Sequence, residues 1–250
     1  MIDRLGPEDK LTLYHEGKMA WAYGEIGRAN KALELQQKLV ETLGRVMGAE
    51  HPDTLNEAQN LAMTLKSLGR TDEPLELEQR LLETSKRVLG EEHPNTLNRT
   101  QNLGITLREL GRTNEALELQ QSLLETSKRV LGEEHPHTLT RTQSLAITLR
   151  ELGKTNEALE LEQSLLETSK RVLGEEHPHT LTRTQSLAIT LRELGRTNKA
   201  LELEQSLLET SNRVLGEEHP ATLNRIQNLA ITLRELGRTN EALELEQSLL

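Results

Sequence analysis

Leu89-Gly90-Glu91-Glu92-His93-Pro94 is the stretch on which the reading of this chain turns. Its His-Pro pair returns at His51, His93, His135, His177 and His219, each 42 residues after the last. A fixed period of this size marks stacked supersecondary units, each too small to bury its own apolar face alone. Read in that phase, residues 1–250 are one array with units 9–50, 51–92, 93–134, 135–176, 177–218 and an incomplete 219–250. Leu5-Gly6-Pro7-Glu8 aligns with Met47-Gly48-Ala49-Glu50, and Leu250 aligns with Leu124 inside a helix. Both ends fall out of phase, so the expectation is a piece of a longer array.

Unit 93–134 shows the local logic. Pro94 suits the first turn of a helix, where its missing N–H has no partner in any case. Leu97, Thr100, Leu103, Gly104, Leu107 and Leu110 then recur at helical spacing on one face. Gly111 should stop this helix in the left-handed conformation, and Thr113 or Asn114 should cap the next. Ala116, Leu119, Leu123, Val130 and Leu131 supply the apolar stripe of that second helix, which Gly132 ends. Glu125 and Arg129 stand at i,i+4 in the favourable order, with equivalents at Glu41–Arg45, Glu83–Arg87, Glu167–Arg171 and Glu209–Arg213.

Composition narrows the function. A net charge of −10 and a pI near 5.4 disfavour nucleic acid and anionic membrane as partners, because both call for a basic field. Aromatics make up 1% of the chain, so stacking platforms for single strands are missing too. Without cysteine there are neither disulfides nor thiolate metal sites. The charged start, Met1-Ile2-Asp3-Arg4, is no secretory signal, and no apolar run approaches the roughly 20 residues of a membrane span. The expected setting is cytoplasmic.

Asn102-Leu103-Gly104, Leu107, Gly111, Ala116 and the closing Leu131-Gly132-Glu133-Glu134-His135-Pro136 resemble a tetratricopeptide repeat. More narrowly they resemble the 42-residue kinesin-light-chain type, with its Leu-Gly-x-x-His-Pro, Asn-Leu-Ala, Gly-Arg and Glu-Ala-Leu. The resemblance implies an all-α fold, a right-handed superhelical solenoid of antiparallel helix pairs whose first helices line a concave groove. It departs from the family at Gln120, Glu162, Glu204 and Glu246, which stand where the second helix usually carries an aromatic. Near-identical tandem units also resemble the C-terminal arrays of NLR-like (STAND) signalling ATPases. Unit 135–176 differs from the next only at Lys154/Arg196, Glu157/Lys199 and Lys170/Asn212.

Little in the chain suggests catalysis. Gly153-Lys154-Thr155 imitates the end of a phosphate-binding loop, but the glycine required five residues earlier is Thr148. His135-x-His137 and His177-x-His179 diverge on a helix and lack further ligands, so a helix-start role is expected in place of metal. Asn98-Arg99-Thr100 matches a glycosylation acceptor by chance. No catalytic residue, cofactor or metal is expected.

The expected site is the groove face of the first helices. On the helical wheel Asn98, Asn102 and Ile105 lie together opposite the core stripe, with Arg108 flanking. The same positions hold Asn56 and Asn60; Thr140, Ser144, Ile147 and Arg150; Thr182, Ser186, Ile189 and Arg192; and Asn224, Asn228, Ile231 and Arg234. Tyr14, Lys18 and Trp21 occupy this register in the first unit, placing two of three aromatics on the face. Such side chains suit the backbone of an extended protein or peptide ligand. For the isoleucines, ligand contact and packing between adjacent first helices both stay open; the arginines could equally pair with neighbouring glutamates. Exposed repeat ends, with Leu243, Leu249 and Leu250 poorly covered, suggest end-to-end self-association. The reading is a non-enzymatic protein- or peptide-binding scaffold, the ligand-sensing array of an NLR-like protein. The alternatives are a kinesin-light-chain-like cargo adaptor or a ligand-free structural or designed scaffold.

Overall fold

The computed structural model describes residue 6 and residues 8–70 and 72–247. Twelve helices follow one another among these residues, and no strand. The first helices of the units are α1 (Lys10–Glu25), α3 (Pro52–Ser67), α5 (Pro94–Glu109), α7 (Pro136–Glu151), α9 (Pro178–Glu193) and α11 (Pro220–Glu235). The second helices are α2 (Ala29–Val46), α4 (Asp72–Leu89), α6 (Thr113–Leu131), α8 (Thr155–Leu173), α10 (Thr197–Leu215) and α12 (Thr239–Gln247). The chain divides into two compact units, one up to Leu119 and one from Gln120 onward. In each, antiparallel helix pairs stack so that a helix packs against its neighbours in sequence, as α2 does on α1 and α3, and α9 on α8 and α10. This is the expected all-α solenoid of antiparallel pairs.

The His-Pro motif is a helix start. His93 Nδ1 accepts a hydrogen bond from the Asn95 amide at 3.2 Å while Pro94 opens the helix, and His51, His135, His177 and His219 do the same. The imidazole thereby satisfies an orphan amide of the first turn, the work a Ser or Asp does elsewhere. Thr96 behind it donates to the carbonyl of Ser85, tying this helix to the end of the one before, and Thr138 and Thr180 do the same to Ser127 and Ser169.

Between the helices of a pair the turn is shorter than expected. Gly111 at φ +74° lets its own amide bond Arg108 O and the Arg112 amide reach back to Leu107 O at 2.9 Å. These paired bonds close the first helix as a Schellman motif. Arg112 O already accepts from Ala116, so one residue ends one helix and begins the next. The expected cap by Thr113 or Asn114 is therefore corrected: Thr113 lies inside α6, and in α8 and α10 the cap residues are Lys154 and Arg196, with no side-chain cap bond. Arg112 instead grips Glu115 with two bonds of 2.6 Å.

Two further expectations change. Val130 is exposed, whereas Leu117 and Leu124 join Ala116 and Leu123 in the core. Polar Gln120 and Ser127 occupy the same buried stripe, so hydrophobicity alone misplaced its edge. The arginines expected to pair at i,i+4 turn away to the preceding hinge: Arg45 to Glu8, Arg87 to Glu50, Arg171 to Glu134 and Arg213 to Glu176. Arg87 and Arg171 grip both oxygens of a nearby loop carboxylate, better geometry than a sidelong contact along the helix. Leu243 is exposed, as expected; Leu249 and Leu250 lie outside the described residues.

Candidate functional site

Within each compact unit, two sets of buried polar side chains lie beneath the first helices. In one, Arg99, Arg183 and Arg225 each reach the second helix of the preceding pair and donate to Ser85, Ser169 and Ser211; Arg141 does so to Ser127. None of these bonds is to a carboxylate, and burial pulls the four guanidinium pKa values down. In the other, Gln36, Glu78, Gln120, Glu162 and Glu204 are all buried. Gln120 accepts from the Thr148 hydroxyl at 2.7 Å. Neither carboxylate oxygen of Glu162 accepts a well-formed hydrogen bond, and Arg150 Nη1 lies 3.8 Å away. Burial pushes the Glu162 pKa up, and Thr190, Ser186 and Arg150 draw it partway back. Glu204 repeats this beside Thr232 and Arg192, and Glu78 beside Thr106 and Lys66.

This accounts for the arginine row of the expected site. Arg150 bonds the Ser186 carbonyl and Thr190 hydroxyl and lies 3.5 Å from Glu193; Arg192 bonds Asn228 O and Thr232 and lies 3.6 Å from Glu235. Both tie one first helix to the next. Arg234 is exposed and pairs with Glu246. Arg108 is half-buried.

The remaining expected residues divide by unit. In the second, Thr140 and Thr182 are exposed but donate to the carbonyls of Pro136 and Pro178 in their own helices. Ser144, Ile147 and Ile189 are half-buried, Ser186 is buried, and Ile231 is exposed. Asn228 donates to Asn224 on its own helix. α7 and α9 touch directly, so Ile147 and Ile189 lie on helices packed side by side.

In the first unit the face opens into two clefts. The larger, about 560 Å³, is lined on the α1 side by Tyr14, Gly17, Lys18 and Trp21, on the α3 side by Asp53, Asn56, Glu57 and Asn60, and floored by Leu13, Leu39, Leu43 and Met47. Trp21 is 64% exposed and Tyr14 59%. Glu57 accepts one bond from Asn60 at 3.1 Å, while its other oxygen, Oε1, is buried without a donor. Burial pushes its pKa up, opposed by that Asn60 bond. The smaller cleft, about 350 Å³, gathers Asn56, Asn60, Asn98 and Asn102 with Asn95, Gln59 and Arg99. Ile105 stays half-buried nearby on α5. The structure thus brings together Tyr14, Lys18, Trp21, Asn56 and Asn60, and separately the four asparagines. Sequence reasoning passed over Gly17, Asp53 and Glu57. The signal was present, because Gly17 and Glu57 break a 42-residue register that reads Gln and Arg afterwards.

Among the described residues no three or more His, Asp or Glu side chains converge as a metal site, and no helix is long and apolar enough to cross a membrane. Helical pairs repeated at one period, with an open polar face and a buried polar spine, define a helical-repeat scaffold. Models of the tetratricopeptide repeat match residues 17–53, 55–128, 97–171, 180–221 and 222–250, and the chain belongs to that family. No curated protein matches it. Among solved structures it is similar to a putative kinesin light chain with nearly identical TPR-like repeats from Podosopora anserina, at 25% identity and a TM-score of 0.72, covering 84% of this chain and 98% of that one. It is also similar to BtubC from P. vanneervenii, at 18% identity and a TM-score of 0.66 over 90% of each chain. A signal transduction ATPase with numerous domains and a tetratricopeptide repeat sensor, from Pyrococcus horikoshii, matches at 14% identity and a TM-score of 0.70, covering 95% of this chain and 36% of that one. The chain is a tetratricopeptide protein-binding scaffold.

Proposed function

We propose that this chain is the ligand-sensing array of an NLR-like signalling protein, and that it takes an extended peptide or protein segment along the first-helix face of its first unit. The observation that carries this reading is the row of side chains around the two clefts. Two exposed aromatics, Tyr14 and Trp21, lead into a run of asparagines at Asn56, Asn60, Asn98 and Asn102. Amide side chains donate and accept at once, which suits the alternating N–H and C=O of an extended backbone, and exposed aromatics supply contact area at little entropic cost. The likeness to an ATPase with a tetratricopeptide sensor supports the sensing role. The likeness to a putative kinesin light chain supports a cargo adaptor as the second reading.

Selection of random extended peptides on the purified chain tests the binding face: enrichment that Asn56→Ala with Asn98→Ala abolishes upholds it, and absence of enrichment sinks it. The full reading frame separates the two roles. A nucleotide-binding domain in the same chain supports the sensor, and a heptad-rich coiled coil supports the adaptor.

A further inference from the structure

The larger cleft of the first unit exists because two positions break the repeat. Gly17 stands where later first helices carry Gln59, Gln101, Gln143, Gln185 and Gln227, and Glu57 stands where they carry Arg99, Arg141, Arg183 and Arg225. Between α3 and α5 the arginine is in place. Arg99 threads down to Ser85 at 2.6 Å and also donates to Asn56 at 2.9 Å. Between α1 and α3 that guanidinium is missing, and Leu43 replaces the serine that would receive it. What remains is a cleft of about 560 Å³ with an apolar floor of Leu13, Leu39, Leu43 and Met47. At its side lies the Glu57 carboxylate, one oxygen of which has no donor.

From this juxtaposition we propose that the cleft is a side-chain pocket for an arginine of an extended peptide, restoring from outside the guanidinium that every later junction supplies from its own chain. This deepens the proposed function and rests on its peptide-binding face. The chemistry matches along the length of the side chain. The methylene stem of an arginine packs on Leu39, Leu43 and Met47, and its planar head meets Glu57 and Asp53. A carboxylate held away from water gains most from a cation that offers two parallel N–H donors. Tyr14 and Trp21 line the same cleft, and the tyrosine ring already takes a cation, the Lys18 ammonium 5.5 Å from its centroid. Lys10 and Lys18 line the same cleft, so the residues flanking the arginine are neutral or acidic. An uncharged apolar side chain would fill the floor and leave Glu57 as it is; an acidic one would oppose it.

The probe is a phage library of random extended peptides selected on the wild-type chain, followed by synthetic peptides of the enriched sequence read by Trp21 fluorescence. Two variants test the pocket in different ways. Gly17→Gln inserts the side chain of the later units; a Cβ there meets nothing nearer than 3.4 Å, and the change favours helix. Glu57→Gln removes the charge and keeps the shape. The expected result is enrichment of one arginine position, and about a tenfold or greater loss of affinity when that arginine becomes norleucine or when either variant is used. Circular dichroism and the melting midpoint should stay close to wild type. Enriched peptides without an arginine, or arginine peptides that bind Gly17→Gln and Glu57→Gln as tightly as wild type, overturn the pocket and leave the peptide-binding face standing. No enrichment at all overturns both.

Discussion

In the second unit, Nη1 of Arg150 stands 3.8 Å from Oε1 of Glu162, and the pair repeats 42 residues on as Arg192 and Glu204 at 3.6 Å. Both carboxylates are 1% exposed and neither accepts a well-formed hydrogen bond, so each guanidinium is near without being a full partner. The arginines give their donors to Thr190 and Thr232, and to the carbonyls of Ser186 and Asn228. A carboxylate so placed is held part-way out of water and favours its protonated form.

The consequence is a dependence of stability on pH. Glu78, Glu162 and Glu204 have folded-state pKa values raised above the ordinary 4.5, chiefly by burial. The folded chain therefore holds these protons more tightly than the unfolded chain. Their contribution to stability is complete below the unfolded value and is lost as pH rises through the raised folded values. This carboxylate contribution to the melting midpoint should be larger at about pH 5.5 than at about pH 8, against the opposite contribution of His137, whose pKa burial lowers. Glu162→Gln with Glu204→Gln should flatten this slope and stabilise the chain at the upper pH by about 1 kcal/mol per site. Gln36 and Gln120 show that the position accepts an amide. The same pH dependence of the midpoint in the wild type and in this double variant would contradict this.

The buried arginine row should behave asymmetrically on substitution. Arg183 is buried and donates to Ser169 at 2.6 Å without a carboxylate partner. Arg183→Ala leaves a cavity and an unused hydroxyl acceptor and should cost about 2–3 kcal/mol. Arg183→Met refills the volume without burying a charge and should cost well under half of that. Urea unfolding of the two variants decides it; equal losses would mean that the guanidinium bond, not the volume, holds the helices together.

Gly153 sits at φ +73° with nothing within 4 Å of a Cβ built on it, so its demand is conformational and not steric. Gly153→Ala should destabilise by about 1 kcal/mol, and Gly153→Asn by less, because asparagine tolerates this region better. Equal melting midpoints for wild type and Gly153→Ala would show that the turn relaxes to another form.

Trp21 lies largely in solvent on the rim of the larger cleft. Trp21→Ala should change unfolding free energy by no more than about 0.5 kcal/mol, while weakening a selected peptide by about 2 kcal/mol. Calorimetric melts beside titration of the peptide separate the two; a large loss of stability with unaltered binding would place the indole in the packing.

Chains of three, five and seven 42-residue units should melt at midpoints that climb towards a plateau, because each added hairpin brings one more interface. Circular dichroism melts check this, and a midpoint independent of length would rule out nearest-neighbour stacking as the source of stability.

The amino-acid sequence alone determined the period, the helix pairs and most of their ends. A 42-residue repeat of His-Pro and Gly-Arg leaves few other local structures: proline and a glycine at positive φ act within a turn of where they stand, as Pro94 and Gly111 do. Tertiary structure alone decided which polar residues are buried. Glu162, Arg183 and Ser169 read as helix-surface residues in any hydrophobicity pattern, and only the approach of the neighbouring helix encloses them. The same holds for the face. Its asparagines could be placed from a helical wheel, but the cleft beside Trp21 depends on an absent side chain at Gly17 and a shorter, oppositely charged one at Glu57. A wheel positions what each helix carries. The space between two helices is fixed only by their packing, because a void is a property of both surfaces together.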